Sequence, residues 1–321
     1  MNRRNLALFI ARRLIAAAVL LVIMSGAVFG LLYATPGSAE QVLLGTRVAN
    51  EETRENIRQR YNLDEPLPTQ YWLWAEDAIR LDFGESIRTG EPVLVAIRDR
   101  ASLSLRLGAY GFVVAFVAGI GLGVLAALKN RSGVDRAVVS LSVVGASSPA
   151  FVTGVFFLYV FAVLLGWFPA FGQGEGLADQ LWHLTLPALT LAFGAAALLI
   201  RFTRAGMITA LEQDYVTFAR ARGVSEPRVL FGYALRNAMI PVVTASTVLL
   251  AATLTGAVLI EVTFALPGLG ALLVDSVAFK DVLMVQGLTM LLAAVAVLTN
   301  LLTDILYLFV DPRIRYTRVA P

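Results

Sequence analysis

Few residues in this chain could carry out covalent chemistry, and their spacing argues against it. A phosphate-binding loop needs a lysine followed by Ser or Thr. The two lysines are Lys129, followed by Asn130, and Lys280, followed by Asp281. There is no cysteine and one histidine, His183, so a disulfide framework and a Cys/His metal site are both excluded. Neither G-x-S-x-G nor H-E-x-x-H occurs, which leaves a hydrolase without its nucleophile or its zinc site. His183, alone before "LTLP", reads as interfacial packing. Among the polar residues inside apolar runs are Glu261, Asn300 and Asp304. Ala293, Val297, Asn300, Asp304, Tyr307 and Asp311 share one helical face at 4, 3, 4, 3, 4 spacing. A carboxylate in a membrane helix is costly and faces protein or water. Glu261 and Asp304 therefore read as structural intramembrane charges, with a proton-relay acid as the alternative.

A different kind of chemistry, recognition, is written in "DYVTFARARGVSEPRVLFGYALRNAMIP", residues 214–241. The stretch carries Arg220, Arg222, Arg228 and Arg236 between two apolar runs. Glu212 to Arg222 reads as a short helix, with Gly223 at its left-handed C-terminal position. Ser225 is placed to cap the next helix, with Glu226 and Pro227 in its first turn. Pro241 marks entry into the following span. Ala219, Ala221 and Gly223 allow another surface to approach closely, while Tyr215 and Phe218 can fill a pocket. Arginines alone would serve an inert loop; this folded form favours a docking element.

The elements that must carry these residues are membrane helices. The chain has 321 residues, 58% hydrophobic and 15% charged, with mean hydropathy +0.73. Apolar runs of about twenty residues can each cross a hydrocarbon core of roughly 30 Å, and a β-barrel would show short alternating segments instead. The expected fold is an all-α membrane protein with six transmembrane helices, at about 10–33, 104–127, 137–166, 185–207, 240–263 and 284–310. The first span lacks a small-residue cleavage signature and reads as a retained anchor. With the N-terminus inside, the inner segments hold 16 basic residues, and the short outer loops after spans three and five contribute only Lys280. The loop 35–103 has eight arginines, but loops that long cross largely regardless of charge. Both termini are thus expected in the cytoplasm, and residues 212–237 with them. The net charge of +3 is mild and no nucleic-acid partner is expected.

Four parts follow: an N-terminal helix, 1–34; an extracytoplasmic loop subdomain, 35–103; a five-helix core, 104–311; and a cytoplasmic tail, 312–321. In the loop, Asn50 can cap a helix through "EETRENIRQRY". "DEPLP" breaks the chain, "TQYWLWAEDAIRLDF" reads as an amphipathic helix against the membrane interface, and "SIRTGEPV" is turn chemistry. The loop is too short for an independent core, and a packed cap is favoured over a separate binding domain. Span three would be a helix of roughly 45 Å, and Pro149 within it predicts a kink. Ser142, Ala146, Pro149 and Thr153 share a face, with Gly145 and Ser148 alongside. Two readings stay open there: tight helix packing by small residues, or a weakly polar path for a solute. In span two, Gly119, Gly121 and Gly123 point to close packing.

The 214–241 stretch resembles the cytoplasmic coupling loop of ABC importer permeases of the dipeptide/oligopeptide/nickel family, in its first-permease (B-type) form. The matching residues are Asp214, Tyr215, Ala219, Arg220, Ala221, Gly223, Ala234, Leu235, Arg236, Asn237, Ala238 and Pro241. Arg222 stands for the usual lysine, and Thr217 and Phe218 for Glu and Ala. Further matches include "LDFGESIRTGEPV", "SSPAFVTGVFFLYVFAVLLGWFPAFG", "FALPGLGALLVDSV" and "DILYLFVDPRIRY"; "TPGSAEQ" departs from the usual Pro-Gly-Asp-Pro turn at Ser38 and Ala39. The resemblance implies a type I importer fold whose N-terminal helix embraces a homologous second permease. It also implies two cytoplasmic ATPase subunits, which hold ATP and magnesium, and an extracytoplasmic substrate-binding protein. No cofactor is expected on this chain. It implies that residues 214–215 and 218–223 couple to the ATPase, and that peptides are carried; nickel chelate, glutathione or another small solute stay open. Ser142, Ser148, Pro149, Thr153 and Asn300 are the path candidates. The competing classes are an ion-coupled secondary transporter and a membrane scaffold without transport.

Overall fold

The apolar runs become long helices, and the glycines and prolines between them decide where each stops. The computed structural model describes residues 3–34, 36–45 and 51–310. Its helices, in chain order, are α1 (Arg3–Ala34), α2 (Ala39–Leu44), α3 (Glu51–Arg60), α4 (Leu67–Ile79), α5 (Val93–Leu128), α6 (Gly133–Ser147) and α7 (Ala150–Phe157). They continue with α8 (Gly176–Leu211), α9 (Asp214–Ala221), α10 (Glu226–Arg228), α11 (Arg236–Thr255), α12 (Val258–Thr263), α13 (Leu269–Ala278) and α14 (Val282–Val310). Two π-helical stretches, Leu158–Leu164 and Val229–Leu235, extend α7 and join α10 to α11. Among the described residues the one β feature is an isolated bridge between Glu85 and Pro92.

Among those residues, five helical segments are long and apolar enough to span a membrane, and a bent pair brings the number to six at most. That pair is the expected third span. Instead of one kinked rod, α6 and the α7 segment meet at 113°. Pro149 biases the preceding residue away from helix, and Ser148 is extended at φ −83°, ψ 128°. The fifth span also differs from expectation. Helix runs from Glu226 through α11, Pro241 lies inside it, and Gly256 ends it before the short α12. The π-helical stretch is what makes this run continuous from the basic segment.

The chain divides into two compact units. One comprises 105–266 with 302 onward. Its core is the face of α8 bearing Ala192, Ala196, Leu199 and Ile200, covered by Ala115 and Ala126, Val138, and Val242, Ala245 and Leu249. Small residues bring these helices close. A Cβ on Gly119 or Gly123 would lie 2.5 Å from the Cβ of Leu199 or Thr203, while Gly121 faces open space. Two of those three glycines therefore make the close contacts that their spacing predicts.

The other unit comprises 2–104 and 267–301. Val42, Leu43, Phe83, Val93 and Ile97 share one core with Leu32 of α1, Leu269 of α13, and Val282, Leu283 and Leu288 of α14. The loop thus builds its core jointly with helix ends, as a short segment must. Ser38 and Gln41 form a reciprocal capping box at the start of α2, the local solution where the chain departs from the Pro-Gly-Asp-Pro turn. Asn50, expected to cap α3, lies outside the described residues. The aromatic residues of α4 do not all face a membrane interface. Tyr71 and Trp74 pack on Phe29 of α1, the Tyr71 hydroxyl lies 2.7 Å from Ser25 Oγ, and Trp72 alone of the three stays 71% exposed.

Candidate coupling site

The basic segment folds as a short helix, a tight turn and a second helix. Asp214 occupies the first turn of α9, where a carboxylate complements the helix dipole. The helix ends as its glycine predicts. Gly223 has φ +76°, its N–H donates to the Arg220 carbonyl at 2.9 Å, and the Val224 N–H donates to the Ala219 carbonyl at 3.1 Å. This pair of bonds is a Schellman turn, completed by a hydrophobic contact across it: Val224 packs with Val216, Ala219 and Val229. Arg220 then spans the turn, its Nε and Nη2 lying 2.9 and 3.3 Å from the two carboxylate oxygens of Glu226. Ser225 occupies the cap position of α10, but its side chain makes no capping bond; its carbonyl accepts from Val229 N–H instead. The serine signal found the right place by backbone and the wrong bond.

The segment is not a free hairpin. Ala234 in the π-helical stretch and Ala238 in α11 pack with Ala127, Met207 and Ala210, and a Cβ on Gly206 would lie 3.2 Å from Ala238. The turn therefore rides on the ends of two long helices.

The predicted contact residues separate into two sets. Phe218 is 65% exposed, and Asp214, Arg220, Ala221, Arg222 and Gly223 are exposed around it. Phe231, also 65% exposed, adds a second aromatic ring that the sequence reading did not single out. Tyr215 is half-buried against the internal cluster. Ala219 is turned inward at 5% exposure, so it offers no surface to a partner. Its smallness serves the turn's own core, and Ala221 is the small residue left outside.

The path candidates also divide. Ser142 and Thr153 are buried, and each hydroxyl donates to its own helix, to Val139 O at 2.7 Å and Pro149 O at 3.4 Å. Gly145 abuts the Phe193 carbonyl, 2.7 Å from where a Cβ would stand. Close packing holds at Gly145 and Thr153, while Ser142 also borders a cavity of about 260 Å³. Ser148 is half-buried, and Pro149 and Asn300 are exposed. Glu261 is buried in α12. Asp304 lies on α14, with its side chain outside the described residues, as are 311–321.

Two acidic residues that the sequence reading passed over hold the helix connections. Asp135 binds Arg204 and the Arg131 N–H. Asp281 accepts from the Ser86 hydroxyl, from Ile87 N–H at 3.1 Å and from Met284 N–H at 3.3 Å. Asp directly before an apolar run is a cap signal, and it was available in "KDVLM". The Arg204 partnership had no local signal, because it joins residues 69 apart.

Fold and site define a polytopic helical membrane protein with an exposed helix–turn–helix that carries two aromatic rings. The sequence profile of the binding-protein-dependent transport system inner membrane component matches residues 119–316, and that family's N-terminal membrane component matches residues 6–108. The chain belongs to this family. It is 37% identical over 311 residues to the probable peptide ABC transporter permease protein y4tP of Sinorhizobium fredii (strain NBRC 101917 / NGR234), covering 96% of this chain and 99% of that protein. It is 38% identical over 308 residues to the glutathione transport system permease protein GsiC of Escherichia coli (strain K12), covering 96% and 99%. In fold it is similar to a chain of the inward-facing MetNI methionine ABC transporter, with TM-score 0.55, 18% identity, and coverage of 69% of this chain and 99% of that one.

Proposed function

We propose that this chain is the permease subunit of an ABC importer that carries peptides into the cytoplasm. The 37% identity, over 96% of this chain, to a probable peptide ABC transporter permease carries this reading. The absence of a phosphate-binding lysine motif assigns ATP hydrolysis to separate subunits, and the Schellman turn with Phe218 and Phe231 outside it suits docking to them. Both termini lie in the cytoplasm, as the arginine distribution requires. A homologous second permease covers part of α1, whose apolar window is only 11% buried by its own chain. Two ATPase subunits and an extracytoplasmic binding protein complete the assembly.

ATP-driven closure of the ATPase pair would push on residues 214–223, and the turn would pass that push to α8 and α11. Rigid-body rocking of this kind needs a joint that does not melt. Ser148, Pro149 and Asn300, which keep exposure, and Ser142, which borders a cavity of about 260 Å³, are the path residues, while Thr153 packs the helices. Glu261 and Asp304 are structural charges. The 38% identity to a glutathione permease keeps glutathione, itself a tripeptide, within the substrate class. Family membership weighs against an ion-coupled carrier.

The test is uptake of labelled peptide into proteoliposomes holding the purified complex and its loaded binding protein. Uptake should require ATP and the co-purifying ATPase subunits. Uptake by this chain alone under a proton gradient would replace the importer reading with the carrier.

A further inference from the structure

A second site lies where the last turns of α1, the segment around residues 60–84 and the first turn of α14 enclose a cavity of about 130 Å³. Phe29, Tyr33, Tyr61 and Trp74 supply an aromatic lining, with the Phe29 ring 5.4 Å from Tyr33 and 5.8 Å from Trp74 between centroids. Asp77 and Asp82 add two carboxylates. Asp82 uses Oδ1 to accept from Gly84 N–H at 3.0 Å. Asp77 has no hydrogen-bond or ion-pair partner for its side chain among the described residues. Gln286, 2% exposed, also lines the cavity. Its Nε2 donates to the Val28 and Phe29 carbonyls at 3.1 and 3.4 Å, while its Oε1 accepts from no described residue. Arg60 borders the cavity as well, but its guanidinium is engaged by Glu85 at 3.2 Å.

We infer that this cavity binds the ammonium group of a small solute. An ammonium has N–H donors for the unused Gln286 oxygen and a charge for the Asp77 carboxylate, and aromatic faces attract cations within about 6 Å. An anion would meet two carboxylates and an arginine already paired. A neutral apolar ligand would offer the Gln286 amide oxygen no donor. If the chain carries peptides, the group received here is the peptide amino terminus. That link rests on the function proposed above; the binding site does not.

The full-length chain, in its purified complex in nanodiscs and labelled with 5-fluorotryptophan, tests the site by ¹⁹F NMR. The Trp74 resonance is the one missing in Trp74→Phe. Glycinamide should shift it in a saturable way, and N-acetylglycinamide, which lacks the ammonium, should not. Asp77→Asn, at an exposed position, should leave the protein folded and weaken glycinamide binding by about two- to fivefold, the loss expected when an exposed ion pair is removed. Absence of a shift, an equal shift with the acetylated probe, or unchanged affinity in Asp77→Asn would each overturn the proposal. Failure here with ATP-driven peptide uptake intact removes only the ammonium site. A specific response without such uptake removes only the transport reading.

Discussion

Arg204 holds Asp135 with both prongs of its guanidinium, Nε at 2.6 Å from Oδ1 and Nη2 at 2.8 Å from Oδ2. Nη2 also reaches Asn130 Oδ1 at 3.2 Å, and the Arg131 N–H donates to the same carboxylate at 2.8 Å. The pair ties the α5–α6 turn to α8. Bidentate arginine–carboxylate geometry is among the stronger charged contacts. Asp135→Ala should lower the thermal inactivation midpoint of the purified protein by several degrees. Asp135→Asn should lower it less, because an amide oxygen still accepts from Arg131 N–H. Combined with Arg204→Met, the loss should fall short of the sum of the single effects. Strict additivity would show that the contact contributes no coupling.

Ala219 and Ala221 are two residues apart and should answer oppositely to added volume. Ala219→Leu overfills the cluster with Val216 and Val229, at a cost of about 1–3 kcal/mol, and should loosen the segment, read as faster amide exchange at 216–229. Ala221→Leu, at an exposed position, should leave exchange unchanged and weaken capture of the ATPase subunits. Equal exchange in both variants would refute the inward placement of Ala219.

Gly223 isolates conformation from crowding, since a Cβ there would meet nothing within 4 Å. The left-handed backbone costs an ordinary L-residue roughly 1–2 kcal/mol, and asparagine tolerates it better. Gly223→Asn should therefore retain substrate-stimulated ATP hydrolysis by the reconstituted complex, and Gly223→Val should lose most of it while membrane insertion persists. Wild-type stimulation in the valine variant would remove this turn from the coupling role.

Asp281 collects donors from two stretches of chain, the Ser86 turn and the first turn of α14. Removing a buried acceptor leaves those donors unsatisfied, at about 1–3 kcal/mol. In Asp281→Ala the 86–91 turn should open, and trypsin should cleave after Arg88 faster than in the parent. The Arg88 guanidinium, 3.5 Å from the centroid of the Phe279 ring, should lose that stacking as the turn departs. An unchanged cleavage rate would mean that the turn holds without Asp281.

Orientation is open to direct labelling. Single cysteines are informative because the chain has none. An impermeant reagent should modify residue 76 from outside the cell and residue 225 only after permeabilisation. The opposite pattern would reverse the topology and with it the coupling role of residues 214–223.

Much of this protein is legible in its sequence because the governing physics is local. Continuous apolar runs dictate spanning helices, since a bilayer leaves no other way to satisfy their backbone. Gly223 announced its left-handed turn because the cost of φ > 0 falls on a single residue. Pro149 announced a break for a similar reason. Its size, 113° and not a modest kink, depends on what the two halves pack against, and a proline carries no information about that. Smallness was ambiguous in the same way. Ala219 and Ala221 read as a surface for a partner, and Ser142 and Thr153 read equally as helix packing or a solute path. Only the packed structure separated Ala221, outside, from Ala219, Ser142 and Thr153, inside, because a small side chain permits close approach without saying whose. The Arg204–Asp135 and Asp281–Ser86 contacts were decided wholly by tertiary structure. A charge shows its sign in the sequence, but its partner is chosen by distance in space, here across 69 and 195 residues.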